Sequence, residues 1–183
     1  TFLAASSAIQ SDDPLLVEKS KEAVAGETDA WKAAQAVERW VSKNLTKKSM
    51  GVGFASALEV CRNREGACPD LAVLVAGLCR PAGVPARVVM GLEYIQGIWG
   101  GHAWSEIHVG DRWLPFDAAL YAPGGADAAR ISIARSSLAQ GLAPAALAGA
   151  QLYGNLDIVV EQVEQGGASD SFDATAVPFE IDG

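Results

Sequence analysis

A thiol, an imidazole and a carboxylate stand out as groups that could do chemistry together: Cys68, His102 and Asp117. An imidazole beside a thiol takes its proton and makes a nucleophile. A carboxylate beside the imidazole fixes the tautomer and stabilises the imidazolium, which then protonates a leaving amine. Each residue alone is weak evidence of this, since a free cysteine is as fit to be a small buried hydrophobe. A lone histidine has many hydrogen-bonded structural roles.

Two features of the chain favour the chemical reading. Cys68 precedes Pro69 and the run Leu71 to Leu78, which is apolar all round and predicts a helix buried on every side, extending to about Ala82. Pro69 fits the first helical position, which makes Cys68 the N-cap, and the positive end of the helix favours a thiolate there. His102 to Val109 and Arg112 to Ala118 flank Gly110-Asp111, a two-residue hairpin signal. If Val109 faces Arg112, Trp104 lies opposite Asp117 and His102 takes the diagonal position on the same sheet face, with Cα atoms about 7 to 8 Å apart. The other face collects Ala103, Ile107, Val109, Leu114 and Phe116, a coherent core side. His108 shares the His102 face but lies well along the strand, and is expected at the surface.

The elements that must hold these groups read as follows. Asp13-Pro14 opens a helix to about Ala25, closed by Gly26, and Thr28-Asp29 opens a second with Trp31, Ala34, Val37, Val41 and Leu45 inward. Lys32, Gln35, Glu38 and Arg39 are expected outward. Residues 46–54 form a Gly-rich link, and Ser56 with Glu59 predicts a capping box for a short helix ending near Arg64. Cys61 on that helix and Cys79, far along the next, are expected to pack in the core. Ala86 to Tyr94 reads as an internal strand, Gln96 to Gly101 as a loop carrying Trp99, and 126–136 as a further strand. An Ala-rich helix over 138–150 and a last strand over 156–163 follow. One domain over 1–165 and a flexible tail over 166–183 are expected.

Composition narrows the function classes. The net charge of −8 argues against nucleic acid, whose phosphates need clustered Lys and Arg. No apolar run approaches the roughly 20 residues that span a bilayer. Cysteines at 61, 68 and 79 match neither a disulfide framework nor the usual zinc spacing, so a site from these with His102 is disfavoured. No calcium loop motif occurs, and neither metal nor cofactor is expected. The sequence opens on Thr1, which suggests a piece of a longer polypeptide.

Three separated segments then come in order: Glu65-Gly66-Ala67-Cys68 through Leu78-Cys79-Arg80-Pro81-Ala82-Gly83-Val84-Pro85-Ala86-Arg87-Val88-Val89, Gly101-His102-Ala103-Trp104-Ser105-Glu106, and Arg112-Trp113-Leu114-Pro115-Phe116-Asp117. Together they resemble the bacterial transglutaminase-like domain of the papain-like cysteine enzymes. The resemblance covers about residues 54–120. It implies Cys68 as nucleophile, His102 as general base and acid, and Asp117 as the orienting carboxylate. It also implies an α+β fold, with N-terminal helices and the buried cysteine-bearing helix packed on an antiparallel sheet, and a periplasmic or other extracytoplasmic setting. The family usually has Asp where Ala67 stands, often Thr or Ser at the position of Pro69, and a different tail where Ala118-Ala119 follow Asp117.

The expected function is cysteine-dependent acyl transfer or hydrolysis on protein or peptide amides. Trp99 and Trp104 are the candidate substrate-binding residues. Choice between water and an amine as acceptor lies in loops that the sequence does not interpret. The alternative is a catalytically silent protein-binding module of the same fold.

Overall fold

The structure is a computed structural model that describes residues 1–48, 55–95, 97–121, 128–141, 143–144, 147, 158–160, 162–165 and 168–171. The chain divides into two compact units, Thr1–Gly149 and Ala150–Gly183.

In the first unit, helix α1 (Pro14–Val24) starts at Asp13, whose carboxylate accepts the Leu15 N–H at 2.8 Å. Helix α2 (Ala30–Asn44) starts at Asp29 in the same way, with Lys32 N–H 2.9 Å away. Its inner face carries Ala33, Ala34, Val37 and Val41. Glu38, expected outward, is buried there too. Its position one residue after Val37 and four after Ala34 puts it on the inner side, and a specific partner described below overrides its charge.

Strand β1 (Lys47–Lys48) and helix α3 (Ala57–Asn63) come next. The predicted capping box is present on α3: Ser56 Oγ accepts from Glu59 N–H at 3.4 Å and Glu59 accepts from Ser56 N–H at 2.9 Å. Strand β2 (Glu65–Gly66) pairs in parallel with β1.

Helix α4 (Cys68–Cys79) differs from expectation at both ends. Ala67 has the extended backbone of the N-cap (φ −87, ψ 177), so Cys68 is the first helical residue and Pro69 the second. An alanine cap offers no acceptor, and Asp70 supplies a substitute: its carboxylate accepts Ala67 N–H at 2.8 Å and Ala55 N–H at 3.0 Å. The helix stops at Cys79, short of Ala82, because Pro81 has no N–H to continue the ladder. Asp70→Ala should cost about 1–3 kcal/mol, since one buried and one half-buried N–H lose a charged acceptor. Urea denaturation checks this, as a lower midpoint at unchanged m-value.

From Leu71 to Cys79 every residue of α4 is buried, and burying each large aliphatic side chain contributes about 1.5–3 kcal/mol. This apolar surface is covered by the other helices and by a four-stranded antiparallel sheet. The strands are β3 (Ala86–Ile95), β4 (Ile98–Val109), β5 (Arg112–Phe116) and β6 (Arg130–Ser136), in the order β5-β4-β3-β6. Val88, Ile107 and Phe116 join the same core, and Ser105 Oγ donates to Ala72 O of α4 at 2.7 Å. Ser20 Oγ of α1 donates to Leu78 O, also at 2.7 Å. Cys61 and Cys79 are both buried, and burial pushes both thiols up.

The β4–β5 register is the predicted one, from Val109 opposite Arg112 to Ser105 opposite Phe116. The loop expected over residues 96–101 is mostly strand instead. Ile95 pairs with Ile98, Gly97 takes the turn at φ +96, and Trp99, Gly100 and Gly101 belong to β4. Main-chain pairing with β3 gives these glycines a strand conformation that their type disfavours.

Arg80, at the end of α4, is 4% exposed and closes the unit. Its guanidinium donates to Ala4 O at 2.6 Å, to Ser137 O at 2.8 Å, and to Ala86 O at 2.9 and 3.3 Å. Burial lowers its pKa to about 10.

Leu138 to Gly141 turns back on itself, with Gly141 N–H on Leu138 O at 3.1 Å, where the Ala-rich helix was expected to begin. Most of the remainder of that helix, and of the link over 46–54, lies outside the described residues. The second unit contributes β7 (Gln162–Gln165) and β8 (Ala168–Ser171), an antiparallel pair. β7 overlaps the end of the strand expected over 156–163, and β8 falls within the segment read as tail. Residues 166–167 and 172–183 of that tail, and 156, 157 and 161 of that strand, lie outside the described ones. No helix among the described residues is long and apolar enough to cross a membrane.

Candidate active site

Cys68, His102 and Asp117 meet where the first turn of α4 comes beside β4. Strand β5 ends at Phe116, opposite Ser105, so β4 has no paired neighbour on that side at His102. Asp117, the next residue after β5, takes that place, and its Oδ2 lies 2.7 Å from His102 Nε2. Cys68 is among the groups that raise the imidazole's pKa, and with Nε2 on Asp117 the ring atom open to a thiol is Nδ1. Cys68 is half-buried, while His102 and Asp117 are 8% and 5% exposed.

The electrostatics follow from these contacts. Burial opposes the imidazolium, but the hydrogen bonds to Asp117 and Cys68, with the charges of both, outweigh it and raise the His102 pKa to about 9. Burial likewise opposes the Asp117 carboxylate. The His102 hydrogen bond, with the charges of His102 and Arg130, holds it below its ordinary range. Asp117 Oδ1 accepts from Ala119 N–H at 2.9 Å and Leu120 N–H at 3.1 Å, which fixes the carboxylate plane.

Three further charged residues surround this group: the sequence pattern put Glu38 on the outer face of its helix and marked neither of the others. Glu38 of α2 accepts the Asp117 N–H at 2.6 Å, and burial pushes its pKa up. Glu93 of β3 places Oε2 3.0 Å from His102 Nε2. Arg130 of β6 puts Nη2 2.8 Å from Glu93 Oε1 and 3.0 Å from Asp117 Oδ2. The strand pairing explains the convergence: Glu93 faces Gly100 on β4 and Arg130 on β6, on the same face as His102. Glu93, His102 and Asp117 offer ligand atoms within 4.8 Å of one another, close enough for a metal ion. The Arg130 guanidinium already provides the positive charge between the two carboxylates.

The two candidate substrate-binding tryptophans lie on opposite faces of β4. Trp104 is 2% exposed and stacks behind the imidazole, ring centroids 6.2 Å apart at 22°. It is packed under Gly91 and cannot present its face to a substrate. Trp99 is half-buried on the opposite face of β4 from His102, against Tyr94 at 5.5 Å, outside this cluster. His108 is half-buried against Trp113, ring centroids 5.0 Å apart.

The sequence matches the profile of the transglutaminase-like superfamily over residues 18–118, which is 101 of its 183 residues. Among solved structures, the fold is similar to a candidate cysteine protease from Cytophaga hutchinsonii, at 27% identity and a TM-score of 0.65, over 74% of this chain and 46% of that one. The periplasmic domain of TgpA from Pseudomonas aeruginosa is a more distant match, at 20% identity and a TM-score of 0.47, over 57% of this chain and 42% of that one. This chain therefore spans less than half the length of either protein. No curated protein sequence matches it. The fold and the profile together establish that the chain belongs to the transglutaminase-like superfamily.

Proposed function

We propose that this domain is a cysteine-dependent acyl-transfer enzyme acting on protein or peptide amides through Cys68, His102 and Asp117. The observation that carries the reading is the imidazole bound to a buried carboxylate at 2.7 Å, with the Cys68 thiol among the groups that raise its pKa. His102 takes the Cys68 proton on Nδ1, and the thiolate attacks the amide carbonyl carbon. The Cys68 N–H stands in the first turn of α4, where the helix supplies no acceptor, and can donate to the developing oxyanion. The imidazolium gives its proton to the departing amine or ammonia as the C–N bond breaks, leaving a thioester. Water or a second amine then loses a proton to His102, forms the new bond to carbon and expels the thiolate. Asp117 holds the Nε2–H throughout and stabilises the charged ring.

Selective alkylation tests the activated thiol. Iodoacetamide near pH 6 should label Cys68 at least about ten times faster than Cys61 or Cys79, because it alone stands beside a charged imidazole and the other two are buried. Peptide mass mapping reads the result, and equal slow labelling would sink the claim. A glutamine-containing peptide offered with and without a labelled amine then separates transferase from hydrolase. Absence of a thioester in both arms would instead fit a protein-binding module.

A further inference from the structure

The contacts beyond the triad point to a second layer of control on the imidazole. We propose that Glu93 and Arg130 are positioning residues for His102: Glu93 adds a second negative charge at the Nε2 that Asp117 holds, and Arg130 clamps the Glu93 and Asp117 carboxylates together. The proposal rests on the triad reading and deepens it.

Four observations support it. Glu93 Oε2 lies 3.0 Å from His102 Nε2 yet accepts no hydrogen bond, because the one Nε2 proton is directed at Asp117. A buried carboxylate oxygen without a donor is costly, so a positive ring beside it is worth more than a neutral one. Arg130 reaches both carboxylates through Nη2, which lets two like charges share a small buried volume. Its Nη1 is left without a hydrogen bond, and its guanidinium carbon lies 5.6 Å from the Trp104 ring that backs His102. The groups facing the ring are Glu93 from β3, Arg130 from β6, Asp117 after β5 and Cys68 from α4, with Glu38 of α2 reaching Asp117.

The signs are opposite for the two residues. Glu93→Gln removes a negative charge beside the ring and leaves Arg130 less balanced, and both changes disfavour the imidazolium. Arg130→Met removes a positive charge and favours it. Arg130→Lys keeps the charge and should keep the ring near its wild-type behaviour. The chain has only two histidines, so a His108→Gln background leaves His102 as the one imidazole to follow by NMR titration.

The wild-type midpoint of about 9 should fall by at least about one pH unit in Glu93→Gln and rise in Arg130→Met. The pH at which Cys68 alkylation loses its His102 dependence should move with it. A change in packing alone would lower rates without moving the midpoint in opposite directions. A Glu93→Gln midpoint that stays at the wild-type value, or rises, overturns the proposal, as does a fall in Arg130→Met accompanied by the same fall in Arg130→Lys. The midpoint is read from the ring itself, in protein that turns over an amide or does not. Absence of turnover would therefore sink the triad reading, and an unmoved midpoint would sink this one.

Discussion

Cys68→Ala is expected to abolish the proposed amide turnover, by a factor on the order of 10⁴ to 10⁶, because a nucleophile in a concerted group contributes nearly as much as the whole group. The fold should survive. Cys68 is half-buried at the start of α4, Ala67 already caps without a side chain, and alanine is a good helix former. Thermal unfolding should therefore change little while turnover of the glutamine peptide disappears. A second effect follows from the ring contacts. The thiol is one of the groups that raise the His102 pKa, so in Cys68→Ala the imidazole should titrate below its wild-type value of about 9. Retained turnover in a folded Cys68→Ala protein would end the nucleophile assignment.

Gly91→Ala is expected to be the most damaging single-methyl change in the sheet. A Cβ at Gly91 would stand 2.1 Å from the Ile131 carbonyl oxygen and 2.7 Å from the Trp104 ring. The first of these is backbone, which cannot swing aside as a long side chain would. The β3–β6 register shifts between Met90 and Gly91, so the glycine sits where β6 makes its irregular approach. Overpacking of this kind costs about 1–3 kcal/mol and sometimes more. Arg130 on β6 and Trp104 behind the imidazole would both be displaced, so alkylation of Cys68 should slow even in the fraction that folds. Denaturant melts and labelling rates, measured on the same preparation, check both parts. Wild-type stability in Gly91→Ala would mean that β6 is free to move there.

Much of this site was legible from local pattern. The Gly110-Asp111 turn fixed the β4–β5 register by counting, which is enough to bring His102 and Asp117 together. Asp13, Asp29 and the Ser56/Glu59 pair marked helix starts because capping is a short-range hydrogen bond. What escaped was set by longer-range pairing. Glycines 97, 100 and 101 look like a loop in composition, and that hid the β3–β4 hairpin. With Ile95 facing Ile98, the same counting would have put Glu93 opposite Gly100, one step from His102 on the same face. Arg130 had no such signal, since it reaches the site only through pairing of β6 with β3. Glu38 was misread because its charge outweighed its helical azimuth, and only the Asp117 N–H explains its burial. Cys68 moved by one position at the helix start, since capping residues are separated by one residue's backbone angle.

Arg80 carries a consequence for how the first unit comes apart. Its charge is stripped of water, and its hydrogen bonds end on carbonyls of Ala4, Ala86 and Ser137, from the start, the middle and the far end of that unit. A partly open form that releases any one of these segments keeps a dehydrated cation with a donor facing nothing. Such forms are penalised in proportion to what they keep folded, so local fraying at either end is coupled to loss of the centre. The guanidinium thus ties the start, the middle and the far end of the first unit to a single buried charge.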